Sequence, residues 1–320
     1  MKTAFILLLF LVFTPPASAQ SNSSETFDLF YLAVGNSHYA THPEATGFKD
    51  LPGANKSAIT VAEFLNKAGA IAGITLVSEE KKFVTKRDVL RGLNDLLRQI
   101  KLSKAQRPLL IFYFCGHGVS EGIGWSHFSI PGDFTIPLKG VNPGTMIESA
   151  VYAGEISDLI EEQKVPAMLL LDACYEGEQP ELPEAVLSQE LAQNSTDVFR
   201  TMRYRNEFNG PTIAVFSTRP GSIVPMVQDP FDPKSKLNIG PLARRLSICF
   251  AAAFNRRDNP LPIGELLQTL GNRRFDPKTR SVVTFSVPEN GGVGLIKYPL
   301  VEGSRGESRI GSAKKKRILK

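Results

Sequence analysis

Apolar residues in this chain follow two alternating rhythms. Phe30-Tyr31-Leu32-Ala33-Val34, Leu109-Leu110-Ile111-Phe112-Tyr113-Phe114, Met168-Leu169-Leu170-Leu171 and Ile213-Ala214-Val215-Phe216 are apolar at every position. Continuous runs of this length predict strands buried on both faces. A further strand is predicted at 74–77 and a last one at 281–287. Between them, apolar residues recur every three or four positions. Ile59, Ala62, Phe64 and Leu65 predict a helix over 57–68, and Val89, Leu90, Leu93, Leu96, Leu97 and Ile100 a longer one starting at Thr85. Helices are also predicted over 148–163, 242–254 and 263–270. Strands alternating with helices imply an α/β fold with a mostly parallel sheet covered on both sides. No internal repeat is present.

Polar stretches set the organisation. Residues 121–145 form a Gly/Pro-rich excursion, with a small hairpin expected around 125–128. Residues 178–210 form a long polar connection that ends in the basic run Arg200-Thr201-Met202-Arg203-Tyr204-Arg205. Residues 305–320 hold seven Lys/Arg and one Glu, more than the whole chain's excess of +5. The basic balance therefore belongs to a tail (301–320) too polar to bury a core. It argues for no nucleic-acid partner. At the other end, Lys2, an apolar run over 4–13 and Ala17-Ser18-Ala19 read as a signal peptide (1–19) cleaved after Ala19. About ten apolar residues are too few to span a bilayer. The expectation is an exported, periplasmic protein with no membrane span once matured.

Two strand ends carry the chemistry. One run stops at Cys115-Gly116-His117-Gly118, the other at Asp172-Ala173-Cys174-Tyr175-Glu176-Gly177. Ligands of open α/β sheets bind at the carboxyl ends of strands, so a base and a nucleophile would meet there if the strands are neighbours. An imidazole beside a thiol lowers its pKa and later protonates a leaving amine. The backbone N–H groups of Gly118 and Cys174 are candidates for an oxyanion hole. Cys115, His117 and Cys174 lack a fourth ligand for zinc, and no metal or other cofactor is expected. Three cysteines in an exported chain are no disulfide framework. Cys115 is a candidate for a reversible disulfide with Cys174, a buried structural thiol being the plainer reading.

These tips resemble the caspase-like cysteine peptidases, above all the metacaspase branch and its bacterial relatives. Caspases set their histidine roughly 50 residues ahead of the cysteine, and His117 stands in that relation to Cys174. Phe216-Ser217-Thr218-Arg219-Pro220-Gly221 and Leu51-Pro52-Gly53-Ala54-Asn55-Lys56-Ser57-Ala58 resemble two further segments of that family. The resemblance runs from about Phe27 to about Val287. It implies a caspase-like α/β/α sandwich of about six strands over 26–300. That domain would divide into a large-subunit-like part (26–180), a linker (181–209) and a small-subunit-like part (210–300). It also implies a His117/Cys174 dyad that hydrolyses peptide bonds in peptide or protein substrates.

Specificity is implied by the same resemblance. Family members place a pocket residue two before the cysteine, and aspartate there goes with basic substrates. Asp172 thus implies cleavage after Arg or Lys, with Glu176, Ser217 and Thr218 as further substrate-binding residues. Ser57 stands where metacaspases carry a second acid, Met226 near where caspases carry an arginine, and Tyr175-Glu176 where histidine-serine is usual. Calcium, which activates some metacaspases, finds only Asp229 and Asp232 here. The rival readings are an inactive caspase-fold interaction module in the cell envelope, and an acyltransferase or amidase sharing the dyad. The basic run at 200–205 would be a self-cleavage site. Oligomeric state is not legible in the sequence.

Overall fold

The computed structural model describes residues 26–40, 48–121, 126–134, 148–175, 212–217, 225–255, 261–272, 283–286 and 299–301. The expected leader, the linker, residues 302–320 of the tail, Glu176 and Thr218 lie outside them.

Five parallel strands form the centre: β1 (Asp28–Gly35), β2 (Ala72–Val77), β3 (Pro108–Glu121), β6 (Ala167–Tyr175) and β7 (Thr212–Phe216). An antiparallel edge strand, β9 (Thr284–Ser286), completes the order β2-β1-β3-β6-β7-β9. β4 (Ser126–Ser129) pairs with the far end of β3, and β5 (Val151–Tyr152) pairs with β4. A separate two-stranded sheet joins β8 (Leu261–Pro262) to β10 (Pro299–Val301).

Because the central strands are apolar on both faces, each face needs a helical layer. On one face Tyr31, Ile111, Tyr113, Met168 and Leu170 pack with α1 (Ala54–Lys67), α4 (Pro241–Asn255) and α5 (Ile263–Gly271). On the other, Leu32, Phe112, Phe114 and Leu169 pack with α2 (Lys86–Leu102) and α3 (Ala153–Glu162). α2 turns Val89, Leu93, Leu96, Leu97 and Ile100 inward and opens on a capping box between Thr85 and Asp88. Each such side chain contributes roughly 1.5–3 kcal/mol when fully buried. The molecule is thus an α/β/α sandwich with a mostly parallel sheet.

The chain moves outward from β1 to β2 but crosses to the other side of β1 for β3 and then β6. In open α/β sheets ligands bind at such a reversal, at the carboxyl ends of the strands. His117 and Cys174 lie near those ends, on β3 and β6.

Several boundaries differ from the periodicity. α1 begins at Ala54 because Gly53, at φ 107°, turns the chain into it and its carbonyl accepts from Ser57 N–H. α3 begins at Ala153, five residues late, because Val151 and Tyr152 are taken by β4. β3 continues to Glu121 because β4 supplies it with a partner. The last strand spans only three residues and runs antiparallel to its neighbour. Among the described residues no helix is long and apolar enough to cross a membrane.

Candidate active site

His117 is held by the loop that follows β1. Its Nε2 lies 2.8 Å from the carbonyl oxygen of Lys49. A carbonyl only accepts, so Nε2 carries the proton and Nδ1 is the basic nitrogen of the neutral ring. The backbone N–H of His117 donates to the Tyr39 hydroxyl at 2.8 Å. The rings of Tyr39 and Phe48 lie 4.9 and 5.0 Å from the imidazole. Gly116 allows this approach, since a Cβ there would stand 2.7 Å from the Tyr39 hydroxyl oxygen.

The loop itself is tied down. Leu51 N–H donates to the Ser37 carbonyl at 2.9 Å, and Ser78 Oγ accepts from the N–H groups of Ser37 and His38. Asp50 bonds His38 Nδ1 at 2.9 Å and the N–H of Tyr39 at 3.1 Å.

Cys174 is the register partner of His117 across the parallel β3–β6 pair. Neighbouring strands lie about 4.8 Å apart, and register partners belong to the same face of the pleat. Cys115 is paired one pleat earlier, with Asp172. Its Cα therefore stands about 8 Å from that of Cys174, given the strand spacing and about 3.3 Å per residue. Disulfides need Cα atoms within roughly 7 Å, so the Cys115–Cys174 bridge weighed from sequence does not fit this register. Cys115 is instead a buried thiol beside Tyr113.

Asp172 is 4 % exposed and turned against the start of α4. Its oxygens accept from Leu242 N–H at 3.2 Å, Ala243 N–H at 2.8 Å and the Tyr113 hydroxyl at 2.9 Å. Ser217 also bonds it. The helix can come this close because the residue before it, Gly240, has no side chain: a Cβ there would lie 2.1 Å from Asp172 Oδ2. Burial raises the carboxyl to about 6, against the opposing pull of the Ala243 and Leu242 N–H donors, Tyr113 and Ser217. The expected pocket acid is thus also the cap of a buried helix terminus.

Ser217 follows β7 and is buried; its Oγ reaches the Ala173 carbonyl at 3.3 Å. Gly118 is buried in β3, in register with Tyr175 and Ser129. Ser57 donates to the Gly53 carbonyl and accepts from Gly240 N–H, both at 2.8 Å, so it serves the same junction as Asp172. Asp229 and Asp232 hold Lys56 Nζ at 3.1 and 2.9 Å. Among the described residues no group of three His, Cys, Asp or Glu could hold a metal ion. Sequence reasoning missed Tyr39, Phe48 and Lys49. Lys49 contributes only a backbone carbonyl, which has no signature in residue type.

The fold and the register together define a class: a doubly wound α/β protein carrying histidine and cysteine side by side at adjacent strand ends. The chain belongs to the caspase-domain family, whose model matches residues 30–253. Cysteine-type peptidase, a hydrolase, is the general class this brings. A crystal structure of a protein from Geobacter sulfurreducens is similar in fold, with 13 % identity and a TM-score of 0.52. The similarity covers 87 % of this chain and 100 % of that one. No curated protein matches.

Proposed function

We propose that this protein is a cysteine endopeptidase using a His117/Cys174 dyad and cleaving after Arg or Lys. The observation that carries the reading is the register pairing of His117 with Cys174, with the imidazole tautomer set by Lys49. His117 Nδ1 takes the thiol proton, and the Cys174 thiolate attacks the scissile carbonyl carbon. The candidates to meet the oxyanion that forms are the backbone N–H groups of Gly118 and Cys174, once they turn out of the β3–β6 ladder toward the bound carbonyl. His117 returns the proton to the departing amine as the C–N bond breaks. Water then attacks the thioester, releasing the acid and restoring the thiol.

The basic preference rests on Asp172, one pleat below Cys174 on the same strand. Its oxygens already hold Tyr113 and two helix N–H groups, so it acts through charge at a distance rather than as a bidentate grip on a guanidinium. Glu176, Ser217 and Thr218 complete the proposed substrate-binding set.

The test is hydrolysis of fluorogenic peptides carrying Arg, Lys or Asp before the reporter, by the wild type and by Cys174→Ala. Cleavage after Arg or Lys that vanishes in the variant supports dyad and preference together. Cleavage confined to Asp retains the dyad and overturns the role of Asp172. No cleavage, with reductant and with calcium, favours the inactive interaction module.

A further inference from the structure

His117 is oriented by a backbone carbonyl, and a carbonyl is only as well placed as the loop that bears it. Lys49 lies between Phe48, whose ring rests on the imidazole, and Asp50, which is bonded at both oxygens. Asp50 Oδ2 takes His38 Nδ1 at 2.9 Å and Oδ1 takes the N–H of Tyr39 at 3.1 Å. Tyr39 in turn holds His117 through its hydroxyl and its ring. The chain of contacts thus closes a ring: His117 to Lys49, Lys49 to Asp50, Asp50 to the 38–39 backbone, Tyr39 back to His117. His38 is itself anchored, because its N–H donates to Ser78 Oγ at 3.1 Å.

We infer that His38 and Asp50 are positioning residues for the catalytic base: their pairing sets the Lys49 carbonyl at the height that keeps the proton of His117 on Nε2. The inference rests on the proposed role of His117 as the base. Without the pair, the 48–50 segment loses its tie to His38, and a shift of the carbonyl by a fraction of an ångström lets the imidazole exchange tautomers. An Nδ1–H ring cannot accept the thiol proton at Nδ1. Misplacement of about 1 Å around a reacting group costs up to about 100-fold in rate, and a partial loss of tautomer costs less. The hydrogen bond from His38 also holds the Asp50 carboxyl below its ordinary value, opposed by slight burial and reinforced by Tyr39 N–H.

The experiment is long-range 1H–15N correlation of the histidine side chains in the full chain, at a pH where His117 is neutral. It is run on wild type, His38→Ala, His38→Asn and Asp50→Asn, with kcat and KM for an Arg peptide measured in parallel. Asn at 38 can present an amide N–H where Nδ1 of His38 stood. The expected result is a dominant Nε2–H tautomer of His117 in wild type and in His38→Asn. A mixed tautomer should appear in His38→Ala and Asp50→Asn, with kcat down about tenfold and KM within about twofold. The buried His127 resonance, from β4, reports that each variant is folded. Should His38→Ala lose that marker, Asp50→Asn decides, because it keeps an acceptor for Tyr39. An unchanged His117 tautomer in folded His38→Ala and Asp50→Asn overturns the inference. If the wild type cleaves nothing, the peptidase reading fails while the tautomer measurement still decides this one.

Discussion

The Tyr113 hydroxyl meets the Asp172 carboxylate at 2.9 Å across the β3–β6 pair, and both side chains are closed to solvent. This contact and the α4 terminus beside it give Asp172 a duty inside the protein, beneath the proposed catalytic pair. Two residues along the strand lies Cys174, so the proposed nucleophile and the residue that seats α4 share one strand.

A pH dependence follows. The Asp172 carboxyl rises from 3.8 to about 6 on folding, chiefly through burial. The folded state therefore binds the proton more tightly than the unfolded chain, and this group's contribution to stability falls as pH rises from about 4 to about 6. One pH unit corresponds to about 1.4 kcal/mol, so the loss is on the order of 3 kcal/mol above the window. Asp172→Asn carries no charge and escapes it. Urea unfolding at pH 4 and pH 7 should show Asn gaining on wild type by up to about that amount at the higher pH. A difference that does not change with pH would remove the ionised buried carboxylate from the account.

The register offset makes a redox prediction. With Cys115 paired to Asp172 rather than to Cys174, mild oxidant should produce no Cys115–Cys174 disulfide. Peptide mapping of diamide-treated protein should find the two cysteines in separate, unlinked peptides. Recovery of a linked pair would mean that β3 and β6 slip by two residues.

Gly53 is a position where a side chain cannot be tolerated. Its φ of 107° is a conformation other residues rarely adopt, and a Cβ would stand 2.0 Å from the Asn238 carbonyl oxygen. Gly53→Ala should cost about 2 kcal/mol or more, since backbone must move as well as strain. Chemical denaturation checks it, and a variant within about 0.5 kcal/mol of wild type would contradict the close approach of the 238 segment to α1.

Arg245 is 1 % exposed inside α4 and donates to the carbonyls of Leu270 at 2.6 Å and Asn272 at 3.2 Å. It closes the C-terminal end of α5, whose last carbonyls have no helical partner. Arg245→Ala would take this donor from the buried Leu270 carbonyl and open a void, at about 3–5 kcal/mol. The melting temperature should drop accordingly. Arg245→Lys should restore only part of the loss, because one ammonium cannot reproduce the planar fork.

Much of this was legible in the residues. Unbroken apolar runs such as 109–114 announce strands covered on both faces, because water must be excluded from each, and the three-and-four spacing from Val89 to Ile100 announces the helix that covers one. Abrupt polar ends at His117 and Cys174 mark where those strands leave the core. All of these are local properties of the chain, governed by burial and backbone periodicity, so sequence alone determined them. The spatial decisions were of another kind. Strand neighbours are chosen by contacts between residues far apart in the chain, and only the β3–β6 register sets His117, rather than Cys115, beside Cys174. A buried carboxylate needs donors, and whether Asp172 would find them in solvent, substrate or a helix terminus depended on where α4 came to rest. Lys49 orients His117 through an atom every residue possesses, so tertiary placement alone could select it.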